Sequence, residues 1–334
     1  MTTRIAINGF GRIGRMVLRA LHETGREDII CVGINDLSDP KALAYLLKYD
    51  SVHGRFNANI SGNDKAITID GVDIPCFAQR NPADLPWGKL DVDIVMEATG
   101  FFLSQDTAKG HIEAGAKRVL MSAPPKDNTK TVVYGVNHDI ITAEDIYVSN
   151  ASCTTNALAP IVKVLHDNFT ITTGFLTTIH AYTGDQSTHD RIHPKALRGR
   201  AAALSMVPTT TGAAKAIGRV IPELNDKLDG VAIRVPTPNV SVIDFTANLK
   251  TKADKNTINA AFRQGAKDMP SVLNYIEDAL VSIDLNHDPH SSTLVAGETY
   301  ANKEGLIRVM SWYDNEWGFS NRMLDTAAIM GQFL

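Results

Sequence analysis

Three cysteines occur in the chain, and one of them sits among groups that would make it reactive. Cys153 lies in Ser149-Asn150-Ala151-Ser152-Cys153-Thr154-Thr155-Asn156, where a short apolar run ends and a helical pattern begins. A thiol at a helix amino terminus feels the positive end of the dipole, and a neighbouring imidazolium would lower its pKa further. Its neighbours are hydroxyls and amides, whereas Cys31 and Cys76 lie in apolar strand-like runs and read as small buried hydrophobes. Ten histidines compete for the role of its base. His180 ends the strand-like run Thr177-Thr178-Ile179-His180-Ala181-Tyr182-Thr183, just before an unusual loop. A histidine satisfied structurally is common, so on residue type alone the choice stays open. A second chemical signal is Gly9-Phe10-Gly11-Arg12-Ile13-Gly14, a GxGxxG between a strand and a helix. Gly9 allows the tight turn, Gly11 lets a pyrophosphate approach the backbone, and Gly14 lets helix meet strand. Asp36 closes the next strand, where a carboxylate bonds ribose hydroxyls and repels a 2′-phosphate, favouring NAD over NADP.

The elements that must position these groups follow from periodicity. Ile5 and Ile7 belong to a strand, and Ile13, Met16, Val17, Ala20 and Leu21 recur at helical spacing up to Gly25. Ile29 to Ile34 and Val92 to Met96 are continuous apolar runs, as in parallel strands covered on both faces. A helix after the second run has Ser104 as its cap and Gly115 as its stop, and further strands read at 119–121, 131–134 and 146–149. Alternating strands and helices over 150 residues predict a doubly wound parallel sheet. Arg55 to Arg80 alternates without a helix and reads as an antiparallel insertion turning at Gly62-Asn63-Asp64. Beyond Cys153 a helix runs to about Asn168, with a kink expected at Pro160. Strands follow at 174–182, 231–235, 240–248, 280–285, 293–295 and 306–312, which predicts an α+β domain with one large mixed or antiparallel sheet. The stretch 184–205 is long, polar and basic. Its Ala201-Ala202-Ala203 run offers no core, so another subunit or a cofactor is expected to order it. A last helix covers 317–333.

Composition narrows the function classes. With 44% hydrophobic and 21% charged residues, the chain is an ordinary soluble globular protein. Lys plus Arg at 33 against Asp plus Glu at 37 gives no electrostatic case for nucleic acid or an anionic membrane as main partner. There is no CxxC pair, signal-like leader or membrane-length apolar run, so no metal site is read and a cytoplasmic location is expected.

INGFGRIGR, SNASCTTN, HAYTGDQ, PTTTGAAKA, RVPTPNVSV and SWYDNEWG together resemble the phosphorylating glyceraldehyde-3-phosphate dehydrogenases, in the family's order and over essentially the whole chain. The resemblance implies an α/β Rossmann NAD-binding domain, 1–152, completed by a closing helix 317–334, plus an α+β catalytic domain, 153–316, assembled as a homotetramer. It implies Cys153 as nucleophile and His180 as its base. It places Arg12, Ile13, Asp36, Arg80 and Ser122 against NAD, alongside the three glycines, with Asn315 holding the nicotinamide carboxamide. Thr183 and Arg234 would hold the substrate phosphate. Ser152, Thr154, Arg198, Thr211 and Gly212 would hold the attacking phosphate or lie beside it. Two of these have independent physical support. Thr211-Gly212 opens a predicted helix, a natural anion seat, and Arg234 is a charge on the apolar run Val231-Ala232-Ile233-Arg234-Val235, which needs a phosphate or an acidic protein group to offset it.

Three positions depart from the family pattern. Ala157 and Phe319 replace a common cysteine and tyrosine. Arg191-Ile192-His193-Pro194 replaces a Leu-Pro pair of NAD-specific members, which weakens strict NAD preference while Asp36 upholds it. The rivals are an erythrose-4-phosphate dehydrogenase, a semialdehyde dehydrogenase, which would lack these phosphate blocks, and a protein whose role is binding RNA or a surface.

Overall fold

The structure is a computed structural model and describes residues 2–334. It divides into two compact units. One comprises residues up to Tyr134, His138–Ala151 and Ser320–Leu334; the other comprises Gly135–Asn137 and Ser152–Phe319.

The first unit is built on a nine-stranded sheet among the described residues. In spatial order its strands are Lys130–Thr131, Tyr147–Ser149, Arg118–Met121, Ile94–Glu97, Thr3–Asn8, Ile29–Asn35, Val72–Phe77, Ala66–Ile69 and Ile60–Gly62. The central strands are parallel, with Asn8 opposite both Asn35 and Glu97. Ile5, Ile7, Val95, Met96 and Leu120 are fully buried, as runs covered on both faces must be. Strand order reverses at Thr3–Asn8. The carboxyl ends of such strands form a crevice at that switch point. The expected insertion is antiparallel through Ile60–Gly62, Ala66–Ile69 and Val72–Phe77, and its last strand pairs in parallel with Ile29–Asn35. Ser104 caps the helix Gln105–Glu113, and Gly115 follows it at φ +102°.

The second unit carries an eight-stranded mixed sheet, mostly antiparallel. The helix Cys153–Phe169 packs on one face and runs unbroken through Pro160. Ser152 caps it, accepting from Thr155 N at 3.1 Å. One expected strand is absent here. Residues 282–285 form a 3-10 turn rather than a strand, because the Asp284 carboxylate accepts from Val281 N at 2.9 Å and closes the backbone locally. Strands at Val207–Thr210 and Leu273–Ile276 are present and were not expected. The loop 184–206 is held by its own bonds: Arg191 N to Gly199 O at 2.8 Å, Ala201 N to Asp190 at 2.9 Å, and Ala202 N to Ser187 O at 2.9 Å. Ala201 and Ala202 are buried, contrary to the expectation that this run has no core.

Candidate active site

In the first unit the helix Arg12–Glu23 starts at Gly11, which provides no side-chain cap, so its first N–H groups remain available to an anion. Each glycine has a distinct reason. Gly9 sits at φ +92°, and a Cβ there would stand 2.7 Å from Thr99 N. A Cβ on Gly14 would stand 2.1 Å from Gly9 O. Beside Gly11 there is open space within 4 Å. That space belongs to a crevice of about 580 Å³ lined by Gly9, Gly11, Asp36 and Arg80 of the expected residues. Asp36 is fixed at its edge, Oδ2 accepting from Phe10 N at 2.8 Å and Oδ1 from Ser38 N at 3.0 Å. Each oxygen keeps a lone pair for a ribose hydroxyl. The cradle and carboxylate fit a dinucleotide. Arg12 is ion-paired with Asp50, Ile13 is half-buried in the helix's first turn, and Ser122 donates its N–H to Glu97 O at 2.9 Å. None of these three lines the crevice. Asn8, Asn35 and Thr99 do, and sequence reading passed over them.

In the second unit Cys153 is the first residue of its helix, and its Sγ lies 3.6 Å from His180 Nε2. His180 Nδ1 faces Ala181 O at 2.6 Å, and a carbonyl can only accept, so the ring proton sits on Nδ1 and Nε2 offers a lone pair to the thiol. Register brings the two side chains together: on adjacent parallel strands His180 stands directly opposite Arg234. Burial pushes the Cys153 thiol up, while the Arg234 guanidinium and the Thr154 hydroxyl pull it down. Burial, and secondly Arg234, push the His180 imidazole down to about 3. Both shifts favour the neutral forms, thiol and imidazole. An imidazolium beside the sulfur is disfavoured first by burial and then by the Arg234 charge. Tyr313 braces the pair, its hydroxyl 2.9 Å from both Thr154 Oγ1 and Thr178 Oγ1 and its ring edge-on to His180.

The anion residues gather around an acid that sequence reading did not single out. Arg234 Nη1 donates to Thr183 Oγ1 at 2.6 Å, Thr183 bonds Asp185, and Asp185 accepts from Arg198 at 3.0 Å. Arg198 also donates to Thr209 Oγ1 at 3.1 Å. Arg234 Nε and Gln186 Nε2 are buried without partners, two donors that an anion would satisfy. Ser152 caps the Cys153 helix and Thr154 lies in its first turn. Thr211 accepts from Ala213 N at 3.2 Å, and Gly212 opens the helix Ala213–Val220 with open space at its Cα. The two helices pack against each other. Asn315 is buried, and its Oδ1 accepts from Ser241 Oγ at 2.8 Å. Ser241 in turn accepts from Ala181 N at 3.0 Å. Asp185 and Gln186 stood within the HAYTGDQ block, Tyr313 in SWYDNEWG and Ser241 in RVPTPNVSV, but sequence reading gave none of the four a role.

Residues 3–105 match the family described as glyceraldehyde 3-phosphate dehydrogenase, NAD binding domain, and residues 152–315 match its C-terminal domain. Glyceraldehyde-3-phosphate dehydrogenase of Cereibacter sphaeroides is 54% identical, with 100% of both chains covered. That of Xanthobacter flavus is 55% identical over 99% of each chain, and that of Pseudomonas aeruginosa 52% over 98% of each.

Proposed function

The chain belongs to the glyceraldehyde-3-phosphate dehydrogenase family, and on that premise we propose that it oxidises glyceraldehyde 3-phosphate, with NAD and inorganic phosphate, to 1,3-bisphosphoglycerate. Bound NAD supplies the hydride acceptor, and the residues of the chain do the rest. His180 Nε2 takes the thiol proton as Cys153 Sγ attacks the aldehyde carbon, and returns it to the oxygen to give a hemithioacetal. As the carbon loses hydride, His180 takes the hydroxyl proton and the carbonyl reforms as a thioester. A phosphate oxygen then attacks the acyl carbon, the carbon–sulfur bond breaks, and Cys153 leaves as thiolate. Sulfur suits both roles, as nucleophile and as leaving group.

The observation that carries this is the 3.6 Å approach of Sγ to an unprotonated Nε2 whose tautomer Ala181 O fixes. The orphaned donors of Arg234 and Gln186 support an anion beside the pair, the 3-phosphate of the substrate, with Thr183 as a further ligand. Ser152, Thr154, Arg198, Thr211 and Gly212 are assigned to the attacking phosphate, and Asn315 to the carboxamide of the cofactor. Asp36 at the crevice edge favours NAD over NADP.

Assembly as a homotetramer is supported by the open face of the eight-stranded sheet. Phe175 and Ile179 share that face, Val231 stands opposite Thr177 between them, and all three are exposed. Among the described residues no helix is long and apolar enough to cross a membrane. All three cysteines are unpaired, which supports a cytoplasmic location.

Purified protein is expected to reduce NAD with glyceraldehyde 3-phosphate only when phosphate or arsenate is present. Cys153→Ser is expected to lower turnover by roughly a thousandfold or more and to leave no acyl-enzyme. Faster turnover of erythrose 4-phosphate, independent of phosphate, would replace the substrate assignment.

A further inference from the structure

Beneath the dinucleotide crevice lies a buried polar cluster that the chemistry above does not use. Glu97 ends the strand Ile94–Glu97, and His111 sits in the helix Gln105–Glu113; both are 0% exposed. A carboxylate out of reach of water needs donors from the protein, and Glu97 has four. Asn8 Nδ2 lies 2.6 Å from Oε2 and His111 Nε2 lies 3.1 Å from the same oxygen. Thr99 gives its backbone N–H to Oε1 at 2.8 Å and its hydroxyl to the same atom. The indole N–H of Trp87 can only donate, and it points at His111 Nδ1 from 3.1 Å. His111 Nδ1 is therefore an acceptor, and the ring proton is forced onto Nε2, facing Glu97. The cluster continues to the neighbouring strand: Asn35 Nδ2 donates to Asn8 Oδ1 at 2.7 Å, while Gln79 N donates to Asn35 Oδ1 at 2.8 Å.

This cluster holds both walls of the crevice. Asn8, Asn35 and Thr99 line it, and the Thr99 backbone leaves no room for a Cβ on Gly9. Phe102, on the same wall as Thr99, meets the His111 ring edge-on, with centroids 6.0 Å apart. We infer that Glu97 and His111 are positioning residues that set the separation of the crevice walls, and through it the affinity for the dinucleotide, without touching it. The inference rests on the dinucleotide reading of that crevice.

Calorimetric titration of NAD into wild type, His111→Leu and His111→Gln tests it, alongside steady-state kinetics and thermal melting. His111→Leu leaves Glu97 one donor short and the Trp87 N–H unanswered. It is expected to weaken NAD by about tenfold, while the KM for the aldehyde and kcat at saturating NAD stay within about twofold. His111→Gln, whose amide both donates and accepts, is expected to recover much of that affinity. NAD affinity within about twofold of wild type in folded His111→Leu would overturn the inference, as would an equal rise in the KM for the aldehyde. Should His111→Leu not fold, Trp87→Phe keeps an aromatic ring at this buried position and removes the N–H that fixes the tautomer, along with part of the ring volume. It is expected to weaken NAD about threefold, and unchanged affinity there would overturn the inference as well. A wild-type protein that fails to bind NAD would instead overturn the dinucleotide reading itself.

Discussion

Cys153 and His180 carry opposed shifts from the same burial: the thiol is pushed up and the imidazole down to about 3. Both shifts favour the neutral forms, so charge separates as the thiol proton crosses to Nε2. Arg234 lowers both values, which favours the charged form of the thiol and disfavours the charged form of the imidazole. Removing its charge should thus raise both values, making the thiolate scarcer and the imidazole easier to protonate. Alkylation by iodoacetamide reads the thiolate, so its rate in wild type should climb with pH beyond the range of a free cysteine. In Arg234→Leu the profile should move to still higher pH, with a rate at neutral pH lower by about tenfold. A profile unchanged by that substitution would remove Arg234 from the activation of the sulfur and leave it an anion ligand alone.

At the scale of elements, the crevice depends on a strand, a tight turn and a helix meeting without side chains between them. Gly9→Ala introduces a Cβ at φ +92° and 2.7 Å from Thr99 N, where the nearby atoms are backbone and cannot swing aside. A loss of about 1–3 kcal/mol in stability is expected, together with at least tenfold weaker NAD binding, read by melting and by titration. A Gly9→Ala protein that binds NAD as wild type does would mean that the turn has slack the geometry does not show. Much of this element level was legible beforehand. Continuous apolar runs such as Ile29 to Ile34, a cap such as Ser104 and the glycines at 9, 11 and 14 each state their role locally. What sequence could not supply is register. His180 faces Arg234 across 54 residues, and Ser241 stands opposite Tyr313 across 72; both pairings arise from strand alignment. Asp185 was missed for a related reason, since an acid between two arginines is visible only once the loop has folded over the strand end. Residues 282–285 misled by alternation, where a single carboxylate at 284 outcompeted the ladder.

At the scale of the whole molecule, the eight-stranded sheet of the second unit has helices packed on one side and apolar side chains exposed on the other. Phe175 is 47% exposed and Val231 42%, and Leu306, paired with Asn248, adds to the same face at 43%. Isolated exposed apolar residues need no explanation, but several sharing one register on a sheet mark a contact surface. The same face carries both signs of charge, Lys227 and Asp229 beside Phe175 in one groove, so two copies related by a two-fold axis can satisfy each other. Phe175→Asp places a carboxylate next to Asp229, its partner across the parallel strands, and on the other copy's matching surface. Sedimentation of wild type at micromolar concentration should give an assembly of several chains, and Phe175→Asp should weaken it by more than about tenfold while leaving the Cys153–His180 pair on the opposite face undisturbed. A wild-type protein that sediments as one chain, or a variant that assembles as tightly as wild type, would leave this face without a partner of its own kind.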